Sequence, residues 1–86
     1  MEIMKVSSSS SPTSVAGALS SMIRSKEEIS IQVIGAAALN QAIKAIAIAR
    51  GYVVSTGIEI ACVPAFHDLV IEDKIVTAIR LKIVIL

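Results

Sequence analysis

Cys62, His67 and Asp68 are the residues from which a nucleophilic site could be built. A thiolate needs an imidazole to take its proton and a carboxylate to orient that ring. The spacing argues against such a site. His67 and Asp68 are adjacent, so on a strand their side chains would leave opposite faces, and no glycine-rich elbow presents a nucleophile. Cys62 reads instead as a small buried side chain that function can spare, and His67 as a loop residue. A closed zinc site takes four ligands, and the chain has one Cys and one His. No catalytic residue, metal, cofactor or small-molecule substrate is expected.

Anion binding is the other chemistry on offer. Gly35 stands before a helical segment, where free backbone N–H groups attract phosphates. The run Gly35-Ala36-Ala37-Ala38 lacks the later glycines and the Lys-Ser/Thr pair of a phosphate loop, and reads more simply as a plain strand-to-helix turn. Ser8, Ser9 and Ser10 lie within the run Ser7 to Ser11 and could donate hydroxyl and N–H groups to phosphate oxygens, or serve only as a flexible connection. Asn40, Gln41 and Lys44 share one polar helix face. Lys44 can neutralise a phosphate, whereas the two amides can only hydrogen-bond one. Lys74 and Arg50 could add charge. The eight Lys and Arg residues are dispersed and the net charge is +1, which fits a solvated, balanced surface as well as a weak basic patch. With Tyr52 and Phe66 the only aromatics, base stacking on a sheet is not expected.

These residues need elements to position them. Met1 to Val6 mixes Ile3, Met4 and Val6 with Lys5 and predicts a short first strand. Ser11 followed by Pro12 is a helix start, serine capping and proline taking the first turn. Val15, Ala18, Leu19, Met22 and Ile23 then fall at helical spacing, giving a helix from Pro12 to about Ser25. Glu28 to Ile34 alternates as a half-buried strand, with Ile29, Ile31 and Val33 on one side. Ala36 to Arg50 predicts a second helix that buries Leu39, Ala42, Ile43, Ile46 and Ala49, with Gly51 as its C-cap. Ile58, Ile60 and Cys62 alternate as a third strand, placed at a sheet edge by Pro64. A polar tip at Glu72, Asp73 and Lys74 turns into Ile75 to Leu86, so the last two strands form a hairpin. The order β-α-β-α-β-β is an α/β (α+β) two-layer sandwich with helices on one face of a mixed four-stranded sheet.

A chain of 86 residues has room for a single domain, residues 1–86, with a modest core. It has no cysteine pair to brace it, which suits a reducing cytoplasm. Hydrophobic residues make up 55% of the chain, an excess that another copy could cover. A homodimer or larger assembly is therefore expected. Ala36 to Ala49, broken by Asn40, Gln41 and Lys44, is too short and polar to span a membrane. Met1 to Val6 followed by serines does not resemble an export signal.

Three segments, Val6 to Leu19, Ile34 to Gly51 and Val63-Pro64-Ala65-Phe66-His67-Asp68, together resemble the stage V sporulation protein S family. The likeness covers nearly the whole chain. It implies a small cytoplasmic bacterial regulator of sporulation or development, with a fold similar to that of the chromatin protein Alba. Alba-like proteins dimerise and bind nucleic acid through the first β-α loop, the start of the second helix and a protruding final hairpin. Carried onto this chain, the likeness implies weak DNA or RNA contact at Ser8, Ser9, Ser10, Asn40, Gln41, Lys44 and Lys74. Where Alba proteins place lysines and arginines, this chain has serines, Ala37 and Gln41. A protein-protein interaction module without nucleic-acid binding is the alternative.

Overall fold

The computed structural model describes residues 1–86. In chain order the elements are β1 (Glu2–Lys5), α1 (Pro12–Arg24), β2 (Ile29–Val33), α2 (Ala36–Val53), a 3-10 turn (Val54–Thr56), β3 (Ile60–Ile71) and β4 (Lys74–Ile85). The sheet has four strands in the order β1-β2-β4-β3. β1 and β2 are parallel, while β4 lies antiparallel to both of its neighbours. This is the expected two-layer α/β arrangement, with β3 at an edge as Pro64 requires.

α1 begins where its sequence says it should. The Ser11 Oγ accepts from the Ser14 N–H at 3.4 Å and Pro12 opens the first turn. The helix buries Ala16, Leu19, Ser20 and Ile23, whereas Ala18 is exposed. The buried stripe is rotated from the expected one because α1 packs along α2 as well as on the sheet. Buried Ser20 donates its hydroxyl to the Ala16 carbonyl at 2.7 Å, so its polar group is satisfied.

α2 corrects two expectations. Gly51 is not its C-cap: the helix runs through it to Val53, whose side chain is fully buried. Burial of Val53 outweighs the roughly 1 kcal/mol that an interior glycine costs a helix. The left-handed residue comes later, at Gly57 with φ 86°, whose N–H bonds the Val54 carbonyl at 3.1 Å. Ile43 is 45% exposed, and Ala38, Ala42, Ala45, Ile46 and Ala49 are buried instead. The helix presents its small residues to α1, and that turns Ile43 outward.

One cluster joins Leu19 and Ile23 of α1, the alanines of α2, and Ile29, Ile31, Val33, Ile60, Leu81 and Ile83 of the strands. All these strand residues share one face, so both helices cover that face. β2 is buried along its whole length, not half-buried as alternation alone implies. It lies between β1 and β4, and the side chains of both neighbours crowd Ser30 and Gln32 on its other face.

β3 and β4 form a hairpin paired from Ile60↔Ile85 to Ile71↔Lys74. Its strand begins at Ile60, not Ile58, and His67 lies in β3 and not in a loop. Glu72 and Asp73 make a two-residue turn, both with positive φ, 51° and 62°, as a type I′ turn demands. β2 supports only the base, where its last partner pair is Val33↔Ile79. The tip at Lys74 lies five residues further out, about 17 Å at ~3.4 Å per residue. The molecule is accordingly long, 45 Å in its greatest extent. No helix is long and apolar enough to cross a membrane.

Candidate functional site

β1 and β2 are parallel neighbours, so the segments that leave their C-terminal ends emerge on the same end of the sheet. These segments are the serine run, leading into α1, and Ile34-Gly35, leading into α2. The hairpin tip projects from that end too, because β3 runs parallel to β2.

The serine run is folded on itself, not merely a flexible connection. Ser10 N–H bonds the Ser7 carbonyl at 3.1 Å, and the Ser7 N–H donates to Ser10 Oγ at 2.9 Å. Ser7 Oγ lies 3.1 Å from Ser9 Oγ and accepts from the Ser9 N–H at 3.3 Å. Ser8 is exposed and its hydroxyl makes no hydrogen bond within the turn. Gln41 ties the run to α2, its Nε2 donating to the Ser10 carbonyl at 3.0 Å.

Between the two connections lies a concavity of about 470 Å³, lined by residues 5–8 and 34–38 and by Gln32. Gly35, φ 88°, gives α2 no side-chain cap, and Ala36 and Ala37 are exposed. The first N–H groups of α2 are thus uncapped beside the concavity, at the positive end of the helix dipole. Lys5 lines the same space, so a cation, serine hydroxyls and helix-end N–H groups converge on it. Such a donor set suits a phosphate or carboxylate oxygen.

Of the residues singled out from sequence, Ser8 lines the concavity, while Ser9 and Ser10 belong to the adjoining serine turn and Gln41 is bonded to it. Asn40 and Lys44 are exposed one turn apart on α2. Gln41 departs from the expected role: it is half-buried, and its amide nitrogen is committed to Ser10. Lys74 sits at the hairpin tip, outside the concavity. Arg50 does not add free charge, since its Nε and Nη2 each bond the Glu59 carboxylate at 2.7 Å. That contact holds the Glu59 carboxyl below its usual pKa and the Arg50 guanidinium above its own. Lys5 and Gln32 were missed; strand alternation assigned them a side but no partner.

Cys62 and His67 point to opposite faces of β3, five residues apart along an extended strand, about 17 Å. Asp68 instead accepts from Thr77 Oγ1 at 3.0 Å across the hairpin. These three side chains cannot act as one nucleophilic unit. No group of three or more His, Cys, Asp or Glu side chains is gathered to hold a metal ion.

The family model described as stage V sporulation protein S matches residues 2–86, and the chain belongs to that family.

Proposed function

We propose that this sporulation-related protein, a member of the stage V sporulation protein S family, is a non-catalytic cytoplasmic regulator that binds nucleic acid weakly as a homo-oligomer. The observation that carries this reading is the convergence of Lys5, the serine turn and the uncapped start of α2 on one concavity. Phosphate oxygens would accept from Ser8, Ser9 and Ser10 and from the N–H groups of Ala36 and Ala37, with Asn40, Gln41 and Lys44 on the adjoining helix face and Lys74 at the hairpin tip. With a net charge of +1 the affinity is modest and strongly weakened by salt.

The test is a titration of DNA and RNA against the protein at a low and a physiological salt concentration. Lys44→Ala weakens binding and lowers the salt slope by about one phosphate contact. Gln41→Ala weakens binding with the slope nearly unchanged, because it loosens the serine turn without removing charge. Absence of binding by the parent protein at low salt refutes the reading.

A second reading has its own support. From the last row that β2 supports outward to the tip, Phe66, Val70 and Ile75 are 82%, 75% and 74% exposed. Exposed apolar groups of this size suit a protein partner, either a second copy or another chain. Homo-oligomerisation through the hairpin serves both readings; binding of another protein with no affinity for nucleic acid would leave only the second.

A further inference from the structure

The sheet separates its charges by face. The four Lys and Arg residues on strands are Lys5, Lys74, Arg80 and Lys82. All four project from the face that carries no helix, since they alternate with Met4, Ile79, Leu81 and Ile83 of the helix-covered side. The two carboxylates on strands, Glu2 and Asp68, project from the other face. The remaining acids lie outside the strands, at Glu27 and Glu28, at Glu59, and at Glu72 and Asp73 in the turn beside Lys74.

Three of these cations are gathered. Register places Lys5 beside Gln32 and Gln32 beside Arg80, one row across three adjacent strands. Lys82 is two residues from Arg80 on the same strand. At ~4.8 Å between strands and ~3.4 Å per residue, Arg80 lies about 10 Å from Lys5 and about 7 Å from Lys82 along the backbone. None of the three has a carboxylate partner, for the one ion pair in the chain is Arg50–Glu59. Arg80 is positioned by its Nε, which donates to Gln32 Oε1 at 2.9 Å. Its Nη groups are not engaged by the protein. Lys5 and Gln32 also line the concavity, so the row begins two residues before the serine turn.

We infer, building on the nucleic-acid reading above, that the helix-free face of the sheet is a second contact surface for the phosphodiester backbone, entered from the concavity and formed by Lys5, Arg80 and Lys82. The occupant is a polyanion because the strand cations are collected on this face and the strand carboxylates are kept from it. Contact is with phosphates and not with bases, since the face carries no Phe, Tyr or Trp on which a base could stack, and its one imidazole, His67, stands past Arg80 toward the hairpin tip.

The experiment compares two charge-matched variants of the full chain. Arg80→Gln with Lys82→Gln removes two cations from the face; Arg24→Gln with Lys26→Gln removes two at the C-terminal end of α1. Binding to a short DNA duplex and to a single strand of the same sequence is followed from about 50 to about 200 mM salt. Two lost phosphate contacts shrink the fold loss of affinity over that range by about 12-fold for the face variant, and hardly at all for its control. Lys82→Gln alone, which removes no protein hydrogen bond, gives about half of that slope change and covers the case in which losing the Arg80–Gln32 bond unfolds the chain. Parent binding that Lys44→Ala weakens, with the face variants unchanged, overturns the second surface and leaves the first. No parent binding overturns both. A change of molecular mass by light scattering in Lys82→Gln assigns the face to a subunit or protein contact and overturns the inference as well.

Discussion

The base and the tip of the β3–β4 hairpin are built from the same two strands, with the same alternation, and they meet different surroundings. At the base Ile60, Leu81 and Ile83 are at most 8% exposed, roofed by the helices, with β2 alongside β4. From Phe66, in the last row that β2 reaches, outward to Val70 and Ile75 near the tip, the same side of the hairpin is almost bare. The alternation specifies which side chains share a face, while the lengths of the neighbouring elements decide what covers them. β2 has five residues against twelve in each hairpin strand, so the cover runs out before the apolar side does.

The largest expected effect contrasts the two regions directly. Leu81→Ala costs about 2 to 5 kcal/mol in chemical denaturation, the usual range for a buried leucine. Phe66→Ala changes the stability of the dissociated chain by less than about 0.5 kcal/mol. The comparison breaks if the two losses are alike at concentrations where the protein is monomeric. Phe66→Ser with Val70→Ser should lower self-association, read as molecular mass by light scattering at micromolar concentration; an unchanged oligomer removes the tip from the subunit contact.

Turn chemistry sharpens the contrast by about 1 kcal/mol. Glu72 and Asp73 both hold positive φ, which Asn and Gly adopt at lower cost. Glu72→Asn with Asp73→Gly should raise hydrogen-exchange protection of the amides flanking the turn and leave those of Ile31 and Leu81 unchanged. Equal gains throughout would show that tip and base open together. Smaller still is Cys62→Ala near the base, where a partly buried thiol is replaced at a cost of about 1 kcal/mol or less, with binding retained. Loss of binding in a folded Cys62→Ala chain would make the thiol functional.

The smallest effect is a dependence on acid. Arg50 depresses the Glu59 pKa, so the contribution of this pair is present above the unfolded carboxylate value and is lost as pH falls through the lower, folded value. Both side chains are about half exposed, at 52% and 41%, and solvent screening keeps the contribution small. Arg50→Ala should flatten the fall in thermal midpoint below about pH 4.5, the ordinary carboxylate value. An unaltered acid profile would show that the pair contributes nothing in solution.

The element order, the Ser11-Pro12 helix start and the hairpin could be read from residue types because each depends on a local pattern. The family likeness drawn from three segments holds over residues 2–86. The end of α2 was not readable, because a buried valine two residues beyond Gly51 overrode the glycine. The exposure of Ile43 followed from a helix-helix contact that favours alanine over larger side chains. Gln41 joined the polar face by spacing, yet its bond to Ser10 needs the parallel pairing of β1 with β2. The row Lys5, Gln32, Arg80 was beyond reach for the same reason: it exists only when β4 lies next to β2, and no alternation pattern states strand order.

That insertion of β4 between β2 and β3 also bears on how the chain is made. β4 is the last of the four strands to be synthesised, and it holds a central place in the sheet. Until it has emerged from the ribosome, β2 has no partner on one side and β3 has none at all. Local structure in the helices can form earlier, but the sheet closes only after synthesis has passed Ile85. Folding of this protein is therefore committed late, and a chain released short of β4 would lose its centre and not merely an edge.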